Sequence, residues 1–122
     1  GLGIDIVDLE EFRAGLTDGL VDELCVPDEI SYSRTQLRSW ENLGARLAAK
    51  RAVFRALGVA VEGAPVWHEV EVVRHESGPL TVRLSGSALA LAAERGVCEC
   101  RLSMSHTKRT ALAVAILVDE KP

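Results

Sequence analysis

The sequence predicts an α+β domain in which helices pack on one face of an antiparallel sheet. The predicted elements run in the order strand, helices, two strands, helix, two strands. Short turns join the strands of each neighbouring pair, which favours antiparallel pairing. The chain has 122 residues, of which 48% are hydrophobic. That length and composition suit one core, so residues 1–122 are predicted to form a single domain.

The first strand is predicted at residues 3–8. Ile4 and Ile6 fall on one of its faces, and Asp5 and Val7 fall on the other. Three short helices follow, and then a long one that ends at a glycine, the residue that most often stops a helix. The four helices are predicted at about 10–16, 19–24, 27–34 and 40–57.

The second half of the chain predicts two pairs of strands with a helix between them. Apolar and polar residues alternate at 69–72 and again at 80–84, and a turn at 76–79 would join these strands into a hairpin. A helix rich in alanine and leucine follows, and a turn at 105–110 separates the last two strands. The helix is predicted at about 87–95, and the last strands at about 98–104 and 111–118.

Composition and charge exclude several classes of protein. No apolar run is long enough to cross a bilayer, so no membrane contact is expected. The formal net charge of −4 argues against nonspecific nucleic-acid binding. The three cysteines are an odd number, which argues against a secreted disulfide protein, and their spacing is not that of a zinc site. We therefore expect a soluble, cytoplasmic protein.

A concentrated basic segment at residues 46–55 contrasts with the acidic balance of the whole chain. Its four cations form two pairs. The two members of each pair lie one helical turn apart, and like charges at that spacing repel by roughly 0.2–0.5 kcal/mol. One interpretation is a binding site for phosphates. The other is a basic face whose cations pair with acids elsewhere in the chain, and spacing alone does not separate the two. The cations are Arg46, Lys50, Arg51 and Arg55.

Two further residues are candidates for chemistry. Asp5 lies within an otherwise apolar strand, so its carboxylate has to be ion-paired, hydrogen-bonded, at a sheet end or bound to a metal such as Mg²⁺. A structural ion pair is the more common of these outcomes. His106 follows the predicted strand 98–104, and a lone histidine in a turn is more often a structural hydrogen-bonding group than a catalyst.

Three segments, in their order and spacing, resemble one family. They are residues 3–7 (GIDIV), 46–58 (RLAAKRAVFRALG) and 103–113 (SMSHTKRTALA). In this order they resemble the small holo-acyl-carrier-protein synthases, the short class of 4′-phosphopantetheinyl transferases. The resemblance covers nearly the whole chain, and the ordered set is more specific than any one segment.

The resemblance implies an enzyme that moves the phosphopantetheine arm of coenzyme A onto a serine of an acyl or peptidyl carrier protein. It also implies a homotrimer with active sites between subunits and a Mg²⁺ ion between the coenzyme pyrophosphate and two carboxylates. Asp5 matches the first of these carboxylates. Lys50 and Arg55 match family lysines that would neutralise phosphate charge as the pyrophosphate leaves, and His106 matches a histidine near the coenzyme. The resemblance thus implies that Asp5, Lys50 and His106 are catalytic residues.

The chain departs from this family at the second metal ligand. Where the family has glutamate after the lysine, this sequence has Arg51, which cannot bind Mg²⁺ and opposes it electrostatically. Three interpretations remain open. In the first, the transfer persists. Either Asp5, phosphates and water hold the metal, or Arg51 supplies part of the metal's charge and pairs with a phosphate. In the second, the fold is repurposed to bind a carrier protein or coenzyme A thioester, or to catalyse another reaction on a carrier-bound chain. In the third, the trimer is purely structural.

Overall fold

The computed structural model describes residues 1–63, 65–74 and 80–119. It confirms the α+β class, and most elements begin and end within two or three residues of the predicted positions. The predicted turn at 76–79 lies outside the described residues. The elements are β1 (Leu2–Asp8), α1 (Leu9–Ala14), α2 (Asp18–Leu24), α3 (Pro27–Arg34), α4 (Ser39–Ala56), β2 (Val70–Arg74), β3 (Leu80–Leu84), α5 (Gly86–Glu94), β4 (Val97–His106) and β5 (Thr110–Asp119). Single 3₁₀ turns at Val61–Gly63 and Trp67–Glu69 lie between α4 and β2.

The described strands form two antiparallel sheets instead of the single sheet that the sequence led us to expect. The larger sheet has the order β1-β5-β4, and β2 pairs with β3 in a separate two-stranded sheet. None of the helices in the described part of the chain is long and apolar enough to cross a membrane.

Helix α4 packs across β1 and β5 and forms the centre of the core. Ala48, Ala49, Ala52 and Val53 on this helix have no exposed surface. Small side chains let the helix approach the sheet closely. At Gly3 a Cβ atom would collide with the carbonyl oxygen of Ala52, so β1 can lie this close only because a glycine stands there. This close approach sets the side chains of α4 directly against the buried face of β1.

The face of β1 that turns toward α4 carries Gly3, Asp5 and Val7, whereas the larger apolar residues face outward. The two faces are those that the alternation predicted, but the strand buries its carboxylate and exposes its isoleucines. Together with neighbours on β5 these isoleucines form the open sheet face. Its members and their exposed fractions are Leu2 62%, Ile4 52%, Ile6 61%, Leu112 38% and Ile116 46%. A contiguous apolar surface of this kind is typical of a contact surface for another protein.

Candidate anion-binding site on the long helix

The first pair of cations on α4 belongs to a closed ion cluster. Lys50 Nζ lies 2.8 Å from Glu29 Oε1, and Arg46 Nη1 lies 3.3 Å from Glu29 Oε2. The side chains of Arg46, Lys50 and Glu29 are 2%, 0% and 1% exposed, respectively. Two cations share one carboxylate, so one net positive charge stays buried, and it is tolerated only when hydrogen-bond acceptors satisfy the remaining donors.

The backbone satisfies the remaining groups of this cluster. Glu29 accepts hydrogen bonds from the amides of Val26 at 3.0 Å and Val72 at 2.9 Å. Lys50 also donates to the carbonyls of Trp67 and Val70, and Arg46 donates to the carbonyl of Val72. The cluster thereby ties α3 and α4 to β2.

The phosphate contacts predicted for Arg46 and Lys50 need correction. Neither side chain offers appreciable surface to a ligand in solvent, and the donors of both are directed at Glu29 and at carbonyl oxygens. The cluster therefore stabilises the fold. The predicted catalytic role of Lys50 is not supported by this geometry.

The second pair of cations converges on Asp5. Arg51 Nε lies 3.2 Å from Asp5 Oδ2, and Arg55 Nε lies 3.4 Å from Asp5 Oδ1. Asp5 is 7% exposed, but Arg51 and Arg55 are 32% and 38% exposed, so the guanidinium groups line an accessible surface. Arg55 Nη2 also lies 3.8 Å from Glu62 Oε2, whose side chain is 77% exposed. This open cluster brings together three of the predicted site residues.

Two polar atoms of the open cluster lack a hydrogen-bond partner among the described residues. Asp5 Oδ2 and Arg51 Nε are both buried, yet among the described residues neither has a hydrogen-bond partner, because their mutual geometry is that of an ion pair only. Burial raises the pKa of Asp5 above its ordinary value, and the charges of Arg51 and Arg55 oppose that shift. The two atoms face each other as an ion pair, and the side chains of Arg51 and Arg55 remain about one third exposed beside it.

A mostly apolar cavity of about 320 Å³ opens beside Arg51. Its wall is formed by Phe12, Leu47 and Trp67, with Leu20, Leu24 and Val61 completing the apolar lining. Glu62 and Arg51 are the charged residues in this lining. The arrangement suits a ligand that has an anionic group at one end and a less polar chain at the other.

His106 lies at the end of β4, on the same side of the sheet as Asp5 but at a distance. The strand pairing aligns Asp5 on β1 with Ala113 on β5 and with Met104 on β4. His106 therefore lies two strands across and two residues along from Asp5, at roughly 12 Å. Its Nδ1 is 3.7 Å from Glu41 Oε1, and its side chain is 45% exposed. One chain alone therefore does not bring His106 to the open cluster.

A second cavity, of about 270 Å³, lies next to His106. Arg38, Arg74 and Glu41 contribute charged groups to its lining. Sequence reasoning missed these residues, and it also missed the role of Glu29. The only signal for Glu29 was its position in the first turn of an acidic helix start, which is explained equally well by the helix dipole.

The residues around Asp5 do not fit a resident Mg²⁺ ion. The side chains that face the Asp5 carboxylate at ion-pair distance are two cations, Arg51 and Arg55. An ion about 2.1 Å from Asp5 Oδ2 would lie within about 5 Å of Arg51 Nε, given their separation of 3.2 Å. At an effective dielectric constant near 20 the repulsion would be about 6 kcal/mol. Guanidinium groups are hydrogen-bond donors to anions and cannot bind a metal ion.

The fold and this site together define a small α+β protein with two accessible arginines on a basic helix beside an apolar cavity. Residues 1–115 match the family model described as the 4′-phosphopantetheinyl transferase superfamily. The chain belongs to this family.

Individual relatives agree with the family match. A holo-[acyl-carrier-protein] synthase of Streptomyces griseus is 41% identical over 118 residues, which cover 95% of each chain. One from Desulforudis audaxviator is 40% identical and covers 97% of this chain and 92% of its own. A solved ACPS–CoA complex from Chronobacterium ammoniagenes superposes with a TM-score of 0.82 at 25% identity, over 99% of this chain and 98% of its own.

Proposed function

We propose that this protein transfers the 4′-phosphopantetheine arm of coenzyme A to a serine of an acyl or peptidyl carrier protein. The serine oxygen attacks the phosphorus atom that bears the arm, and a new P–O ester bond forms. The P–O bond to the other half of the pyrophosphate breaks, and adenosine 3′,5′-bisphosphate leaves with the electron pair. The serine proton is released to water, so the products are the holo-carrier protein and the bisphosphate.

The observation that carries this proposal is the open cluster beside the apolar cavity. Arg51 and Arg55 present guanidinium groups that are about one third exposed, and guanidinium binds phosphate oxygens in a bidentate manner. The cavity next to Arg51 has room for part of the pantetheine arm. Coenzyme A carries both features, a pyrophosphate and a long arm, in one molecule. The family match and the synthases named above support the same substrate.

The proposal includes a homotrimer with active sites between subunits. The open sheet face would be covered by neighbouring copies, which would remove its exposed isoleucines from water. His106 lies too far from Asp5 to share a site within one chain, and a partner subunit would bring a second His106 to the open cluster. His106 is then a coenzyme ligand contributed across the interface.

We also propose that the protein works in the cytoplasm. Its three cysteines are free thiols, which is typical of a reducing compartment, and the reaction has no use for a membrane. A resident Mg²⁺ ion is left out of the proposal because the surroundings of Asp5 do not fit one.

The test is intact mass spectrometry of an apo-carrier protein after incubation with this protein and coenzyme A. A gain of one phosphopantetheine arm on the serine is the expected result. A known transferase, run in parallel on the same carrier, controls for the competence of that carrier. If the known transferase loads the carrier but this protein does not, with or without added metal ions, the proposal is wrong. The chain would then be a repurposed or purely structural member of the fold.

A further inference from the structure

We propose that in this protein Arg51 and Arg55, held by Asp5, bind the pyrophosphate of coenzyme A directly and make the transfer independent of a bound divalent cation. The inference rests on the proposed function and extends it to the chemistry of the site. Arg51 stands where the resemblance calls for a carboxylate ligand of Mg²⁺. The structure assigns that position to a guanidinium group that takes over the charge of the ion.

Charge balance at the site supports this assignment. A divalent cation between two carboxylates carries no net charge, and Asp5 paired with Arg51 carries none either. Arg55 adds one positive charge, and Glu62, whose carboxylate lies 3.8 Å from Arg55, adds one negative charge. The four formal charges sum to zero, so the attraction for a pyrophosphate comes from the two guanidinium groups that would face it and not from a net charge.

The geometry of Arg51 leaves its binding atoms available. The side chain turns Nε toward Asp5, and it is 32% exposed. The carboxylate therefore anchors the inner edge of the guanidinium, and the outer edge remains free for two phosphate oxygens. Arg55 Nε also faces Asp5, and one of its terminal nitrogens, Nη2, lies 3.8 Å from the exposed carboxylate of Glu62. Two pre-oriented guanidinium groups lose little rotamer freedom when the ligand binds.

The same groups can act in the transfer step. When the P–O bond breaks, negative charge accumulates on the oxygen that leaves with adenosine 3′,5′-bisphosphate. Fixed cations at that oxygen stabilise the transition state more than the ground state, because the charge there grows during the reaction. Arginine keeps its proton throughout, so its contribution is electrostatic and no proton moves through the cluster.

The first test measures binding and needs no variant. The protein is treated with EDTA in a buffer free of phosphate, and inorganic pyrophosphate and coenzyme A are titrated in separate calorimetric experiments. Both should bind, and added Mg²⁺ should not tighten either dissociation constant by more than about twofold. If both ligands bind only after Mg²⁺ is added, the inference is overturned.

Two variants that each remove one positive charge test whether the pyrophosphate binds to Arg51. Arg51→Gln should weaken pyrophosphate binding in EDTA by about tenfold or more, the loss expected when charged hydrogen bonds are removed. Arg83→Gln removes an equal charge from an exposed ion pair with Glu71 and should leave binding within about twofold. Equal affinities in the two variants would contradict the assignment.

The transfer reaction separates this inference from the proposed function. In EDTA the wild-type protein should still load the carrier, whereas Arg51→Glu should require Mg²⁺ because it places a second carboxylate beside Asp5. Transfer by the wild type that stops in EDTA and returns with Mg²⁺ would refute the inference and leave the proposed function intact. Absence of transfer under every condition would refute the proposed function, and the pyrophosphate titration would still decide the binding claim.

Discussion

Helix α4 carries two charged clusters that use the same kinds of residue in opposite ways. In the closed cluster, Arg46 and Lys50 are almost without exposed surface, and both oxygens of Glu29 are paired and hydrogen-bonded. In the open cluster, Arg51 and Arg55 are about one third exposed, and a buried oxygen of Asp5 has no hydrogen-bond partner among the described residues.

The difference separates cations that hold the elements of the fold together from cations that a ligand could reach. Buried charges that are fully satisfied fix the relative positions of elements, and they leave nothing for a ligand. Cations that stay partly exposed next to a cavity keep donors that a ligand can reach. The exposure of the cations, more than their number, distinguishes the open cluster, for which we propose ligand binding, from the closed cluster.

The largest effect is expected from breaking the closed cluster. Glu29→Gln leaves two buried cations without a counter-charge and should lower the free energy of unfolding by about 3–5 kcal/mol. Urea denaturation measures this loss. The control is Asp28→Asn, which removes an exposed acid from the same helical turn and should cost less than about 1 kcal/mol. Equal losses in the two variants would mean that the closed cluster is no more structural than a surface charge.

A smaller effect on stability, combined with none on binding, is expected at Lys50. Lys50→Met removes one of the two cations that face Glu29 and should lower the free energy of unfolding by about 1–3 kcal/mol. The folded variant should bind coenzyme A within about twofold of the wild type. A folded Lys50→Met protein that has lost coenzyme binding would restore the original prediction of a catalytic lysine and remove the contrast between the clusters.

The smallest effect on stability is expected at Asp5, and its sign depends on pH. Because burial raises the pKa of Asp5 in the folded state, the folded protein holds this proton more tightly than the unfolded chain does. The resulting stability is present below the ordinary value of 3.8 and is lost as the pH rises through the raised folded pKa. Asp5→Asn should therefore be neutral or stabilising at pH 7, within about 1 kcal/mol, and should weaken coenzyme A binding.

Thermal denaturation of wild type and Asp5→Asn across pH 3–7 checks this sign. The stability of the wild type should fall relative to the variant as the pH rises. A wild type that gains stability over the variant with rising pH would show that the arginines lower the pKa of Asp5 more than burial raises it. The open cluster would then be a structural ion pair like the closed one.

The sequence predicted the helices and strands better than it predicted which cations of α4 are buried in ion pairs and which are accessible. The bounds of α4 and the need for a partner to Asp5 followed from local patterns, namely helical periodicity and a carboxylate in an apolar strand. The pairing of Arg46 and Lys50 did not, because their partner Glu29 lies 17 and 21 residues away and only the packing of α3 brings it close. Alternation along β1 likewise gave its two faces, but the close approach of α4 at Gly3 decides which face is buried.

The central claim is that coenzyme A contacts the open cluster and leaves the closed cluster untouched. The most direct measurement is a titration of the ¹⁵N-labelled protein with coenzyme A in EDTA, following the arginine Nε–Hε signals by NMR. The account predicts that the signals of Arg51 and Arg55 shift as the ligand binds, while that of Arg46 stays in place. Binding that shifts Arg46 and leaves Arg51 and Arg55 unchanged would contradict it.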